Sequence, residues 1–200
     1  MTSNGSSSTR SAAGRPRDAQ IDRAVLTATR ELLAEVGYQE TSIAAVARRA
    51  HVGTAPIYRR WSGKEALIEE AVFGSEEVWL PAETADLHAD LTEWARLFVR
   101  RIAEPSTRAA IPGLISAYHA APERYRELHD RADLPARRAL CERIRAALPA
   151  DADESATADL VFEILVARTL VRGLMHGYDD LDAFCARTAD ALVALIRTPV

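Results

Sequence analysis

The chain has 200 residues, and what it lacks sets the first limits. No apolar run approaches the ~20 residues that a membrane-spanning helix needs. The opening "MTSNGSSSTRSAAGRPRD" has no apolar stretch of the kind a secretory signal requires. A cytoplasmic chain is therefore expected. Cysteine occurs twice, at Cys141 and Cys185, with no CxxC and no zinc-ligand spacing. Two reduced thiols are the expectation. GxSxG, Walker, GxGxxG and HExxH patterns are all missing. The five histidines, at 51, 88, 119, 129 and 176, include no i, i+4 pair able to grip a metal. The acidic neighbours Glu69-Glu70 and Asp179-Asp180 diverge on a helix, so neither makes a general acid/base pair. No catalytic residue, metal or cofactor is expected, and an enzyme is only a rival reading, which turnover of a substrate would revive. No alternating strand pattern and no internal repeat is visible.

About half of the residues are apolar, enough for a real core. The net charge is −4, which argues against a nucleic-acid binder, but the distribution argues for one. Residues 1–64 carry ten Lys/Arg and five Asp/Glu; the remainder carries fifteen and twenty-four. A basic N-terminal third on an acidic body can hold phosphates locally while the body repels them.

Residues 1–17 read as a disordered basic arm. Arg10, Arg15 and Arg17 either reach a DNA groove or belong to a solvated tail. A helix is predicted from Asp18, with Ile21, Val25, Ala28, Leu32 and Val36 at helical spacing and Gly37 as its stop. A second begins at Thr41 or Ser42, with Ile43, Val46, Ala47 and Ala50 inward and Arg48 and Arg49 outward. "HVG" is a turn. Thr54 then caps a short third helix with Pro56 in its first turn, and Ile57 and Trp61 face inward. Ser62 and Glu65 form a capping box that opens a fourth helix. The remaining prolines and Gly177 divide the body into helices near 64–79, 86–103, 106–120, 122–148, 155–176 and 180–197, the fourth of them open to a break at Pro135. The expected fold is all-α: a helix-turn-helix domain over 18–62 and a helical bundle over 63–200, about nine helices in all.

Helix, short turn and short helix form a helix-turn-helix arrangement. A reading helix must enter a groove about 12 Å wide, and Gly53, Thr54, Ala55 and Pro56 are small enough for its tip. Tyr58 and Arg59 lie one turn on, placed for phosphate oxygens; packing is the less favoured reading of Tyr58. Lys64, the chain's one lysine, and Thr41 and Ser42 open helices whose free N–H groups favour anions. Arg48 and Arg60 read as solvated charge. Phosphates at the sides and bases at the tip give these residue types a common purpose.

In order and spacing, "VGYQETSIAAVARRAHVGTAPIYRRWSGKEAL", residues 36–67, resembles the N-terminal domain of the TetR family of transcriptional regulators. His51 stands where the family's turn usually has Gly, Gly53 where Ser is common, and Pro56 lies within the reading helix. Arg59 and Arg60 replace the frequent His-His or Tyr-His. The resemblance implies a repressor that binds a pseudo-palindromic DNA operator as a homodimer and is released by a small-molecule effector. An effector-free, constitutive DNA-binding protein of the same fold is the alternative.

For the body, helices 64–148 are expected to enclose the effector, with Phe73, Trp79, Trp94, Phe98, Arg101, Tyr118 and His119 as candidate lining; ordinary core is the competing reading of each. The segments 156–177 and 183–196 are apolar on more than one face. They read as a four-helix interface between two copies, or as the core of a monomer. TetR-like proteins use their last two helices in this way. The candidate interface residues are Leu160, Ile164, Ala167, Leu170, Val171, Leu174, Phe184, Leu192, Leu195 and Ile196.

Overall fold

The structure, a computed structural model, describes residues 15–74, 80–124, 135–148, 154–175 and 179–197. All regular structure among them is helical. The expectations for Trp79 and for residues 1–14 lie outside the described residues.

Helix α1 (Arg15–Glu40) is the longest element, and Gly37 interrupts its helical geometry with φ 77°. That left-handed turn is open to glycine at no steric cost, so the predicted stop becomes a kink. Thr41 then donates its hydroxyl to the Gly37 carbonyl at 2.8 Å. Ser42 caps α2 (Ile43–Arg49), its side chain accepting from the Ala45 N–H at 3.1 Å. His51 crosses the following turn with φ 55°. In α3 (Thr54–Arg60) the N-cap is Gly53, with no side-chain cap bond, so Thr54 is the first helical residue and not the cap. The predicted Ser62–Glu65 capping box does not form either. Gly63 is the N-cap of α4 (Lys64–Phe73), and the Glu65 carboxylate turns away to Tyr38 and Arg124. That helix ends at Phe73 because Gly74 leaves helical geometry, short of the expected 79.

The body follows with α5 (Leu87–Ala103), capped by Asp86, α6 (Pro105–Ala120), α7 (Pro135–Arg145), α8 (Glu154–Met175) and α9 (Leu181–Arg197). Residues 125–134 lie outside the described residues, and with them the expected break at Pro135.

Three apolar clusters hold these helices. The first joins Val25, Ala28 and Leu32 of α1 to Ile43, Val46, Ile57, Trp61 and Leu67. A second places Leu33, on the other side of α1, against Ile68, Val72, Ala110 and Leu114. The largest gathers Leu91 and Trp94 of α5 with residues of α7, α8 and α9, including both cysteines. Both thiols are free and buried, and burial pushes their pKa values up. A buried carboxylate also ties the segment before α5 to α7. Asp90 accepts from the Thr84 N–H at 3.0 Å and lies 2.6 Å from Arg143 Nε. Burial alone would raise its pKa, but the bonds from Thr84 and Arg143 outweigh it and hold the carboxyl below its ordinary value.

One close approach joins α1 to the body. A Cβ built on Gly113 of α6 would lie 2.3 Å from the Tyr38 ring, so the ring occupies the space of the missing side chain. The ring's phenol is pushed up to about 12 by burial first and then by Glu65, and it stays a donor. Alanine in place of glycine gains about 1 kcal/mol of helix propensity, whereas overpacking costs about 1–3 kcal/mol. With a contact this short the steric loss wins. Gly113→Ala is expected to lower the urea midpoint, and Tyr38→Ala in the same chain to restore part of it. A Gly113→Ala protein more stable than wild type would show that the ring is not held there.

Candidate nucleic-acid interface

The surface of the helix-turn-helix follows from helical periodicity. At 3.6 residues per turn, Thr54, Tyr58, Ala55 and Arg59 fall on one arc of about 140°. All four are exposed, Tyr58 to 59%. Ile57, fully buried, and the half-buried Pro56 and Arg60 fill the opposite arc. A small-residue tip with a tyrosine and an arginine one turn on is therefore presented outward. Ser42, Arg48, His51 and Gly53 are also exposed.

The cations divide in a way that periodicity alone does not reveal. Arg49 is exposed, as expected, and also grips α1: Nη1 and Nη2 reach the two Glu35 carboxylate oxygens at 2.9 and 2.6 Å. Those bonds hold the Glu35 carboxyl below its usual range. Arg60, read as solvated, has its Nε 2.5 Å from Asp22 Oδ1. Arg48 and Arg59 are exposed and make no ion pair among the described residues.

Two other candidates sit differently from the expectation. Thr41 is 1% exposed, because its hydroxyl repairs the carbonyl that the Gly37 kink releases; it belongs to the interior. Lys64 lies on the N-terminal turn of α4 as expected, but its Nζ donates to the Gln39 carbonyl at 3.2 Å and sits 4.2 Å above the Tyr38 ring. Burial pulls the amine below the usual lysine range against the pull of Glu65 and Glu40.

The candidate effector residues separate into two groups. Phe73 and Tyr118 pack on the cluster between α1, α4 and α6, and the Tyr118 hydroxyl donates to Glu69 at 3.1 Å. Trp94 and Phe98 meet on α5 with ring centroids 6.3 Å apart, and Phe162 of α8 joins edge-on at 6.0 Å. Trp94 is 4% exposed and lies inside the main core, because the inner face of α5 is buried against α8 and α9. Arg101 is half-buried and His119 exposed. Phe162 is the aromatic that sequence reasoning missed; its position four residues after Ala158 on the inner side of α8 was the available signal. Among the candidate interface residues, Leu160, Ala167 and Val171 are exposed, Ile164, Leu170, Leu174, Phe184 and Leu195 half-buried, and Leu192 and Ile196 core of their own chain.

Comparison with known proteins agrees with this architecture. The family model for bacterial regulatory proteins of the tetR family matches residues 25–71. The model for the tetracyclin repressor-like C-terminal domain matches residues 81–193, more than half of the chain. The chain belongs to the TetR family. It is 33% identical over 93 residues to the HTH-type transcriptional regulator YdeS of Bacillus subtilis, a match covering 44% of this chain and 47% of that protein. A second relative, the HTH-type transcriptional regulator Rv1556 of Mycobacterium tuberculosis, is 33% identical over 90 residues, covering 44% and 43%. The chain thus spans somewhat under half the length of the curated relatives it matches. Among solved structures, a TetR-family transcriptional regulator from Mesorhizobium loti superposes with TM-score 0.66 at 16% identity, over 92% of this chain and 100% of that one. The TetR-family regulator SCO0332 gives 0.65 at 23%, over 90% and 100%. At these identities the likeness is one of fold.

Trp94 also yields a direct test of its position. Removing a buried tryptophan side chain leaves a cavity and costs about 3–5 kcal/mol. Trp94→Ala should show that loss in urea unfolding. A variant as stable as wild type would return Trp94 to the lining of an open site.

Proposed function

We propose that this chain is a DNA-binding transcriptional regulator whose exposed α3 arc enters the major groove. The observation that carries the reading is that arc: Thr54, Ala55, Tyr58 and Arg59 face outward together on the second helix of a helix-turn-helix. Thr54 and Ala55 are placed for base edges, Tyr58, Arg59, Arg48 and Ser42 for phosphates. Lys64 would have to leave the Gln39 carbonyl to join them. Selection of bound duplex from a random pool tests the reading as a whole: an enriched sequence is expected.

The regulator acts as a homodimer on a pseudo-palindromic operator, because one seven-residue helix reads too few base pairs alone. An apolar stripe on α8 supports this. Leu160, Val171 and Met175 are 37%, 57% and 73% exposed, with Ala167 exposed and Ile164 half-buried between them. At the edge of that stripe, Arg172 stacks on Phe184 at 5.2 Å. Release by a small molecule, and hence repression, is the finest part of the reading and rests on family membership. Phe98 and Arg101, half-buried on α5, are where a largely apolar or anionic effector would be sought first.

Two measurements follow. Arg59→Ala and Arg48→Ala should each flatten the slope of log affinity against log salt by about one per half-site; an unchanged slope removes that arginine from the phosphate contacts. Val171→Glu should leave the fold intact, because the position is exposed, yet dissociate the dimer, since burying an unpaired charge costs several kcal/mol. Sedimentation of wild type as a monomer at micromolar concentration would end the dimer reading.

A further inference from the structure

We propose that Asp22 and Arg60 are a positioning pair that sets the rotation of α3 about its own axis, and that Arg60, unlike its neighbour Arg59, contacts no phosphate. The inference rests on the DNA-binding reading above.

The need for such a pair is mechanical. A helix of seven residues is too short to be stable alone, and α3 begins without a side-chain cap. Ile57 is its one fully buried residue. A single apolar anchor near the middle of a short helix fixes its distance from α1, but leaves it able to turn about its axis. Trp61, 9% exposed at the C-cap, holds the end where the chain leaves the helix. Neither contact is directional. The Asp22–Arg60 ion pair adds a charged restraint away from the helix axis: Arg60 leaves the inner arc of the last turn, and its Nε stands 2.5 Å from Asp22 Oδ1, without hydrogen-bond geometry. The two side chains are only 19% and 32% exposed, so solvent screens the pair less than an ordinary surface pair.

Arg59 and Arg60 are adjacent in sequence, yet about 100° apart around the helix. One is exposed on the arc with Tyr58; the other is turned back to α1. A rotation of α3 that brought Arg60 outward would carry Thr54 and Ala55 away from the groove. The pair thus couples the burial of one arginine to the aim of the tip. Arg49, bonded through both terminal nitrogens to Glu35, holds α2 to the same helix α1.

The sign of one substitution separates this role from a simple electrostatic one. Were Asp22 merely an acidic charge near the DNA, removing it would strengthen binding to every duplex. As a positioning partner, its loss weakens the selected duplex while sparing or strengthening a scrambled one. The test uses the full chain, fluorescence anisotropy, the duplex that wild type enriches from a random pool, and a scrambled duplex of equal length. Asp22→Asn and Arg60→Gln are each expected to lower affinity for the selected duplex roughly three- to tenfold, the range expected of a part-buried charge pair. The salt slope should not change, and the double variant should be no worse than either single one. Asp22→Glu, which keeps the charge, should recover at least part of the loss. The idea is overturned if Asp22→Asn binds the selected duplex as tightly as wild type or more so, or if Arg60→Gln flattens the salt slope by about one per half-site as a phosphate contact must. If Asp22→Asn fails to fold, Arg60→Gln and Asp22→Glu still decide through the slope and the recovery. Failure of wild type to enrich any sequence would instead overturn the DNA-binding reading itself, and this inference with it.

Discussion

Helices α2 and α3 have seven residues each, and helices that short do not persist without tertiary support. That constraint makes α1 the wall on which the reading surface is built. Val25, Ala28 and Leu32 offer one apolar face to Ile43, Val46, Ile57 and Trp61. The acidic side chains of Asp22, Glu31 and Glu35 offer ion pairs to Arg60 and Arg49. Apolar burial supplies most of the stabilisation, being non-directional and proportional to area. The ion pairs add charged contacts from α2 and α3 to the same helix.

The same helix serves a second core. Leu33 faces Ile68, Val72, Ala110 and Leu114, away from the helix-turn-helix, and beyond the Gly37 kink the Tyr38 ring fills the space over Gly113. Lys64 and Glu65 at the start of α4 close on that ring from the other side, and Arg124 reaches Glu65 at 3.3 Å. Arg30 adds a bond to the Ala71 carbonyl at 3.1 Å. A displacement of α6 against α4 would be felt at the end of α1. The large core of α5, α7, α8 and α9 is fitted closely as well: a Cβ on Gly173 of α8 would lie 2.6 Å from Ile102 of α5. Interiors packed this tightly transmit displacements, because they have little free volume to absorb them.

Much of this was legible in the residues. The all-helical class followed from apolar spacing and from the absence of alternation. The order of helix, turn and short helix was read from Gly37, Ser42, "HVG" and the inward pair Ile57 and Trp61. Periodicity tells which side of a helix is inside; it does not tell which distant charge meets it. Arg49 and Arg60 therefore read as outward or solvated, although their partners lie 14 or more positions away on α1. Thr41 and Lys64 occupy places where helix openings attract anions, but local carbonyls set free by the Gly37 kink claimed both first. Glu65 left its capping role for a tyrosine 27 positions earlier. In the body, Trp94, Leu192 and Ile196 were apolar in a broadly apolar region, where spacing cannot separate a core position from a lining or interface position.

The central claim is that the outward arc of α3, with the start of α2, is where this chain meets DNA. Hydrogen exchange with and without the enriched duplex tests it most directly. New protection is predicted over residues 42–60, with the amides of α8 and α9 unchanged between the two samples. Protection confined to the body, or none in the helix-turn-helix at saturating duplex, would contradict the account.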